Sequence, residues 1–226
     1  MKGKLYITAT PIGNLSDITL RAIETLKQVD QILCEDTRTT QKLLQHYNIS
    51  KELISLNAVN EQKKINFVIN KLNEGLQIAL VSDAGTPGIS DPGIRLINAA
   101  IKAGYQPVPV PGVTALITAL SIAGLPTDSF VFEGFLPQKK GRQKLISGLA
   151  DETRTIVLYE STYRIEKLLH ELNNYLPERF IVICRELTKM FEETWRGKPQ
   201  EILDSLQSRT IKGEFVILIA PRGWTE

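Results

Sequence analysis

Four stretches of the sequence hold residues better suited to chemistry than to a core. The first is Ser82-Asp83-Ala84-Gly85-Thr86-Pro87-Gly88-Ile89-Ser90-Asp91-Pro92-Gly93, which follows an apolar run and precedes a helical pattern. Ligands of α/β sheets bind at the carboxyl ends of strands, where such loops lie. Its glycines allow close backbone approach, and its prolines stiffen it before a ligand arrives. Asp83 can accept hydrogen bonds from ligand amines or hydroxyls. The second, Val110-Pro111-Gly112-Val113-Thr114-Ala115, is another strand-to-helix turn whose backbone amides can meet a ligand. Taken singly, each reads at least as well as a plain turn, the first with Asp91 capping a helix.

The third region pairs Thr8-Ala9-Thr10-Pro11-Ile12-Gly13-Asn14-Leu15 with Cys34-Glu35-Asp36-Thr37-Arg38-Thr39. Both follow strand-like runs, so one sheet edge would gather Asn14, Glu35, Asp36 and Arg38. Carboxylates beside an arginine can act as a general base or grip a hydroxylated substrate. The competing reading is a helix start, with Asp36 as its cap and Arg38 in solvent. The fourth set lies in the second half, at strand ends: Tyr159-Glu160-Ser161-Thr162-Tyr163-Arg164, Arg185-Glu186-Leu187-Thr188-Lys189 and Lys212-Gly213-Glu214. Any one of these reads first as solvated or paired charge. Cys34 and Cys184 sit in apolar runs and read as buried, reduced thiols, and no Cys/His spacing suggests a zinc site. No metal is expected.

The elements that position these residues alternate. Strands are expected at Leu5 to Thr8, Ile32 to Cys34, Ile78 to Val81 and Pro107 to Val110. Helices are expected after a Ser16 or Asp17 cap, with Ile18, Ala22, Ile23 and Leu26 on one face, and then at Thr39 to Tyr47, Asn60 to Glu74, Ile94 to Lys102 and Val113 to Ala123. This alternation predicts an α/β unit with a largely parallel sheet. Gly124-Leu125-Pro126-Thr127 breaks the pattern, and a second series begins at Phe130. It runs through a basic stretch, Lys139-Lys140-Gly141-Arg142-Gln143-Lys144, to strands near Thr155, Phe180, Glu193 and Phe215 and helices near Tyr163 and Pro199. The boundary falls near residues 113–125, giving domains 1–115 and 116–226.

Composition narrows the setting. The longest apolar run falls short of the roughly 20 residues that span a bilayer. The N-terminal lysines are not followed by a signal-peptide core, so a cytoplasmic location and no membrane partner are expected. A formal net charge of +2 is a weak sign of nucleic-acid binding.

Taken together, the loops above, with Phe132-Glu133-Gly134-Phe135-Leu136-Pro137, occur in one order along nearly the whole chain. That order resembles the tetrapyrrole methylase superfamily, and within it the branch that methylates small-subunit ribosomal RNA. The Thr10-Pro11-Ile12-Gly13-Asn14-Leu15 and Glu35-Asp36-Thr37-Arg38 stretches are the most specific parts, and they depart from the Gly-rich first loop of the tetrapyrrole enzymes. The resemblance implies two α/β domains with S-adenosylmethionine in the cleft between them, and usually a homodimer. It places cofactor contacts on Asp83, Ala84, Gly85, Thr86, Pro87, Thr114 and Ala115, with Pro11 near the methyl group. From the second domain it adds Phe135, Leu136, Tyr159 and Glu160. It implies 2′-O-methylation of a cytidine in 16S ribosomal RNA, free or in the small ribosomal subunit.

Glu35 and Asp36 are then the expected bases, with Arg38 holding a carboxylate or a phosphate. The basic loop Lys139 to Lys144, with Arg21, Arg38 and Arg164, is the expected source of phosphate contacts. Two other functions stay open at this point: methylation of a tetrapyrrole, and a cofactor-binding domain without catalysis.

Overall fold

A computed structural model describes residues 2–225, and the chain divides into two units between Thr114 and Ala115. Unit 1 is a five-stranded sheet in the order β3-β2-β4-β1-β5, with every pair parallel. The strands are β1 (Lys4–Thr8), β2 (Gln31–Cys34), β3 (Glu52–Ser55), β4 (Gln77–Leu80) and β5 (Val108–Val110). The crossovers carry α1 (Leu20–Gln28), α2 (Thr37–His46), α3 (Glu61–Asn73) and α4 (Ile94–Lys102).

Strand alternation sorts the core into two layers. Leu33, Ile78 and Leu80 pack with Val68, Leu72, Leu96 and Ala100 of α3 and α4. Ile32, Cys34, Ala79 and Val81 pack with Leu26 and Leu44 of α1 and α2. Helices therefore cover both faces, as a parallel sheet requires.

One start differs from expectation. Asn14, not Ser16 or Asp17, caps a single 3₁₀ turn at Leu15–Asp17, and Thr19 then caps α1 by accepting from Ala22 N at 3.1 Å. Ile18 is extended between the two caps and precedes the helix. The polar segment has two side chains able to hold free amides, so it splits into two turns.

Unit 2 holds α5 (Ala115–Ala123), β6 (Phe130–Phe135), α6 (Arg142–Gly148), β7 (Thr155–Ser161), α7 (Ile165–Tyr175), β8 (Ile181–Arg185), β9 (Glu193–Gly197), α8 (Pro199–Ser205) and β10 (Glu214–Ile219). Its sheet order is β6-β7-β10-β8-β9. Only β6 and β7 are parallel; the other three pairings are antiparallel. A bulge between Phe132 and Gly134 interrupts β6 and re-aims Phe135, and Gly134 takes the positive φ of 61° there. Among the described residues, no helix is long and apolar enough to cross a membrane.

Candidate active site

Because all five strands of unit 1 are parallel, their carboxyl ends share one edge. Three loops meet there. Thr10 and Gly85 exchange backbone hydrogen bonds at 2.9 and 3.0 Å, joining the loop after β1 to the loop after β4. Thr10 Oγ1 donates to Ser82 O at 3.0 Å, and Ser82 Oγ donates to Gly85 O at 3.1 Å. Thr86 Oγ1 donates to Val113 O at 3.2 Å, tying in the loop after β5. Gly85 sits at φ 83°, and a Cβ there would touch Ile12 Cγ2 at 3.4 Å and lie 3.8 Å from Thr114 Cα. A Cβ on Gly112 would collide with that of Ala9 at 2.8 Å. Small residues thus let the three loops close on one another into a narrow cradle, in which Pro11 is buried and Ala84 exposed.

The Ser82 to Gly93 loop is clamped from below by a residue that sequence reasoning left as an ordinary helix start. Glu61, on the first turn of α3, is buried, and its Oε1 accepts from Gly93 N at 3.1 Å and Leu96 N at 3.0 Å. Gly93, at φ 125°, has no side chain to cap α4, so the cap comes from α3. Glu61→Ala strands two buried amides, and urea titration is expected to show a loss of about 1–3 kcal/mol. Glu61→Gln keeps an acceptor and should recover most of that loss. Wild-type stability in the alanine variant would remove the clamp.

The acidic residues of this edge occupy different environments. Asp36 caps α2, accepting from Arg38 N at 2.8 Å. It also grips the Arg38 side chain through contacts of 2.5 to 3.1 Å. Hydrogen bonds from Arg38 hold its carboxyl down at about 2. Asp36 N donates to Asp83 Oδ1 at 3.0 Å, which couples the β2 and β4 loops. Glu35 is half-buried, and burial, then Asp83, then Asp36 push its carboxyl above the ordinary glutamate value. Arg38 is exposed, with Nε and Nη2 engaged by Asp36. The helix-start reading of Asp36 is therefore observed, with Asp36 as the cap of α2 and Arg38 exposed and held by it, next to Glu35 in the chain.

The expected contacts of unit 2 fall into two groups. Phe135 is half exposed, 5.7 Å from the Tyr159 ring, with Arg164 at 5.8 Å over its face. Leu136 and Glu160 point inward. Leu136 belongs to the core of the unit, and its carbonyl accepts from Arg164 Nη1 at 3.1 Å. Glu160 is 1% exposed and pairs with Arg164 at 2.7 Å. The Tyr159 hydroxyl accepts from Leu116 N at 2.9 Å, on the first turn of α5. Arg142 is a correction: it is 3% exposed and bound to Glu171, so it is no surface phosphate contact. Arg164 is likewise occupied by Glu160 and Leu136, while Lys139 and Lys140 are exposed.

The family described as Tetrapyrrole (Corrin/Porphyrin) Methylases matches residues 4–203. This chain belongs to the tetrapyrrole methylase family. The family's reaction is methyl transfer, with S-adenosylmethionine as the donor. Among tetrapyrrole methylase relatives, Ribosomal RNA small subunit methyltransferase I of Halalkalibacterium halodurans is 48% identical over 223 residues, covering 98% of this chain and 77% of its own. The protein of that name from Thermotoga maritima is 43% identical over 218 residues, covering 96% of this chain and 98% of its own. The solved uroporphyrin-III C-methyl transferase from Thermus thermophilus, complexed with S-adenyl homocysteine, superposes with a TM-score of 0.67 at 18% identity, covering 96% and 97% of the two chains. That likeness shows that the tetrapyrrole methylase fold is shared.

Proposed function

We propose that this methylase transfers the methyl group of S-adenosylmethionine to the ribose 2′-hydroxyl of a cytidine in small-subunit ribosomal RNA. We further propose that it works in the cytoplasm as a homodimer. The observation that carries the reading is the match, over 96% or more of the chain, to relatives named as ribosomal RNA small subunit methyltransferases. Their names give the small-subunit ribosomal RNA, and the resemblance of the Thr10 to Leu15 and Glu35 to Arg38 stretches supplies the cytidine 2′-hydroxyl.

The cradle of unit 1 fits the donor. Gly85 and Gly112 let the three loops pack against one another at this edge, and Ala84 is exposed on it. Asp83 to Pro87 and Thr114 are the proposed contacts, with Pro11 under the methyl group and Ala115 next along the chain. Of the unit 2 candidates, Phe135 offers an exposed side chain, while Leu136, Tyr159 and Glu160 are carried by the resemblance. S-adenosylmethionine, when bound, supplies a methyl group already activated on sulfur.

The chain's own residues supply alignment and proton removal. A ribose hydroxyl must lose its proton as its new bond forms. Glu35 takes that proton, because its raised carboxyl is the better acceptor beside an Asp36 held near 2. Arg38, exposed and tethered by Asp36, faces solvent where a phosphate can approach.

The test is incubation with labelled S-adenosylmethionine and three acceptors: small ribosomal subunits from cells lacking the gene, naked ribosomal RNA, and a tetrapyrrole precursor. Label is expected in RNA at a site that resists alkaline cleavage, as a blocked 2′-hydroxyl must. Label in the tetrapyrrole alone overturns the reading. Donor binding with label in none of the three would leave a binding domain without catalysis.

A further inference from the structure

The edge of the unit 2 sheet where β7 and β8 end and β10 begins extends past the Phe135 and Glu160 candidates. These ends coincide because β10 runs antiparallel to both neighbours. Three connections are bound together there. Thr162 Oγ1 donates to Gly213 O and accepts from Gly213 N, each at 2.7 Å. Glu186 N donates to Glu214 O at 3.0 Å, and Glu186 Oε1 accepts from Glu214 N at 2.9 Å. A Cβ on Gly213 would stand 2.5 Å from the Glu186 side chain, so the connections touch.

From this base three large side chains project into solvent: Tyr163 is 96% exposed, Met190 90% and Phe191 66%. The loop that carries the last two is built, not slack. Glu186 and Thr188 both hold left-handed backbone, at φ 50° and 65°, which is costly for a β-branched threonine. Lys189 Nζ fixes them by donating to Glu186 at 2.9 Å and Glu214 at 2.8 Å. Arg185 Nη1 donates to Phe191 O at 3.1 Å, and Thr188 N donates to the Glu192 carboxylate. Backbone strain held by this many bonds keeps two apolar side chains outward.

The charges of the edge point to the occupant. Glu186 and Glu214 share Lys189, Glu193 stands 3.4 Å from Arg185, and the Glu192 carboxylate is held by Thr188 N. Lys212, beside Gly213, is exposed and makes no ion pair among the described residues. β6 ends at this edge too, since it is parallel to β7, and the exposed Lys139 and Lys140 follow it. Protein interfaces deplete lysine at their centres. Sites for single-stranded nucleic acid combine stacking faces with cations along the backbone.

We propose that Tyr163, Met190 and Phe191 form a platform on which unpaired bases of the RNA stack, with Lys212 on the adjoining phosphates. The platform rests on the RNA reading given above. It is tested on the full chain with a labelled unpaired oligoribonucleotide and a duplex of equal length. Tyr163→Ala and Phe191→Ala should each weaken binding of the unpaired strand about 5- to 100-fold and leave the duplex little changed. Tyr163→Phe, which keeps the ring, should stay within about threefold. Donor binding and circular dichroism should match wild type in every variant.

Unchanged affinity in both alanine variants overturns the platform, and so does an equal loss on the duplex. A change in sedimenting mass in Phe191→Ala without a change in RNA affinity assigns the surface to a second copy instead. Failure of the function reads differently. Wild-type protein that binds the unpaired strand but methylates no RNA removes the activity and keeps the platform. Wild-type methylation with unaltered RNA KM in the variants removes the platform alone.

Discussion

In a Glu35→Gln variant, methyl transfer at saturating donor is expected to fall about 10²- to 10⁴-fold while donor affinity holds. The argument is electrostatic. Two adjacent carboxylates at the end of β2 are driven apart: Arg38 holds Asp36 at about 2, while burial and the charges of Asp83 and Asp36 raise Glu35. Such a split separates a permanent anion from a working base. Glu35 must be deprotonated to act, so the rate should climb with pH through a value above that of free glutamate. Asp83→Asn removes one of the raising charges and can still accept from Asp36 N, so this acid limb should move to lower pH. Asp36→Ala loses a helix cap and the tether on Arg38, and its turnover should fall far less than that of Glu35→Gln. Stopped-flow turnover across pH checks both. Near-wild-type turnover in Glu35→Gln would dismiss the base.

How much of this was legible in the sequence depended on whether the deciding partner was local. β1, β2, β4 and the helices α3 and α4 are buried runs or one-faced patterns closed by glycine, and reading them needs only a short window. β3 escaped notice because Glu52-Leu53-Ile54-Ser55 is a short edge strand with polar ends. It exists through its pairing with β2, including Gln31 Nε2 donating to Glu52 at 2.6 Å. The mixed sheet of unit 2 was equally hidden. β10, last in sequence, inserts between β7 and β8, and no local pattern records an insertion.

The site divides the same way. The loops were visible because glycine and proline have few other uses in such runs. The Glu61 clamp was not, because a glutamate on a first helical turn looks ordinary and its partner amides lie some thirty residues on. Arg142 did leave a signal that lysine-rich neighbours obscured: it shares one helical face with Ile146 and Leu149, both buried.

That face makes Arg142→Ala the largest stability change expected here. Arg142 Nε reaches both oxygens of Glu171, at 3.0 and 2.8 Å, and its Nη1 donates to Pro137 O at 3.1 Å. Its Nη2 lies 3.8 Å from Glu160, which also pairs with Arg164. Removing the guanidinium leaves Glu171 short of its partner and Glu160 with one arginine. Breaking a buried pair in this way costs about 3–5 kcal/mol. Lysine should not rescue it, because one ammonium cannot copy a fork that meets a carboxylate and a carbonyl together. Both tryptophans, Trp195 and Trp224, lie in unit 2, so urea titration followed by their fluorescence reads the loss where it occurs. Lys139→Ala and Lys140→Ala, on the exposed side of the same stretch, should stay within about 0.5 kcal/mol of wild type and reduce the salt dependence of RNA binding. The two outcomes separate a cation that holds the fold from cations that meet the substrate. An Arg142→Ala protein as stable as wild type, yet weakened on RNA, would return Arg142 to the surface role that its lysine neighbours suggest.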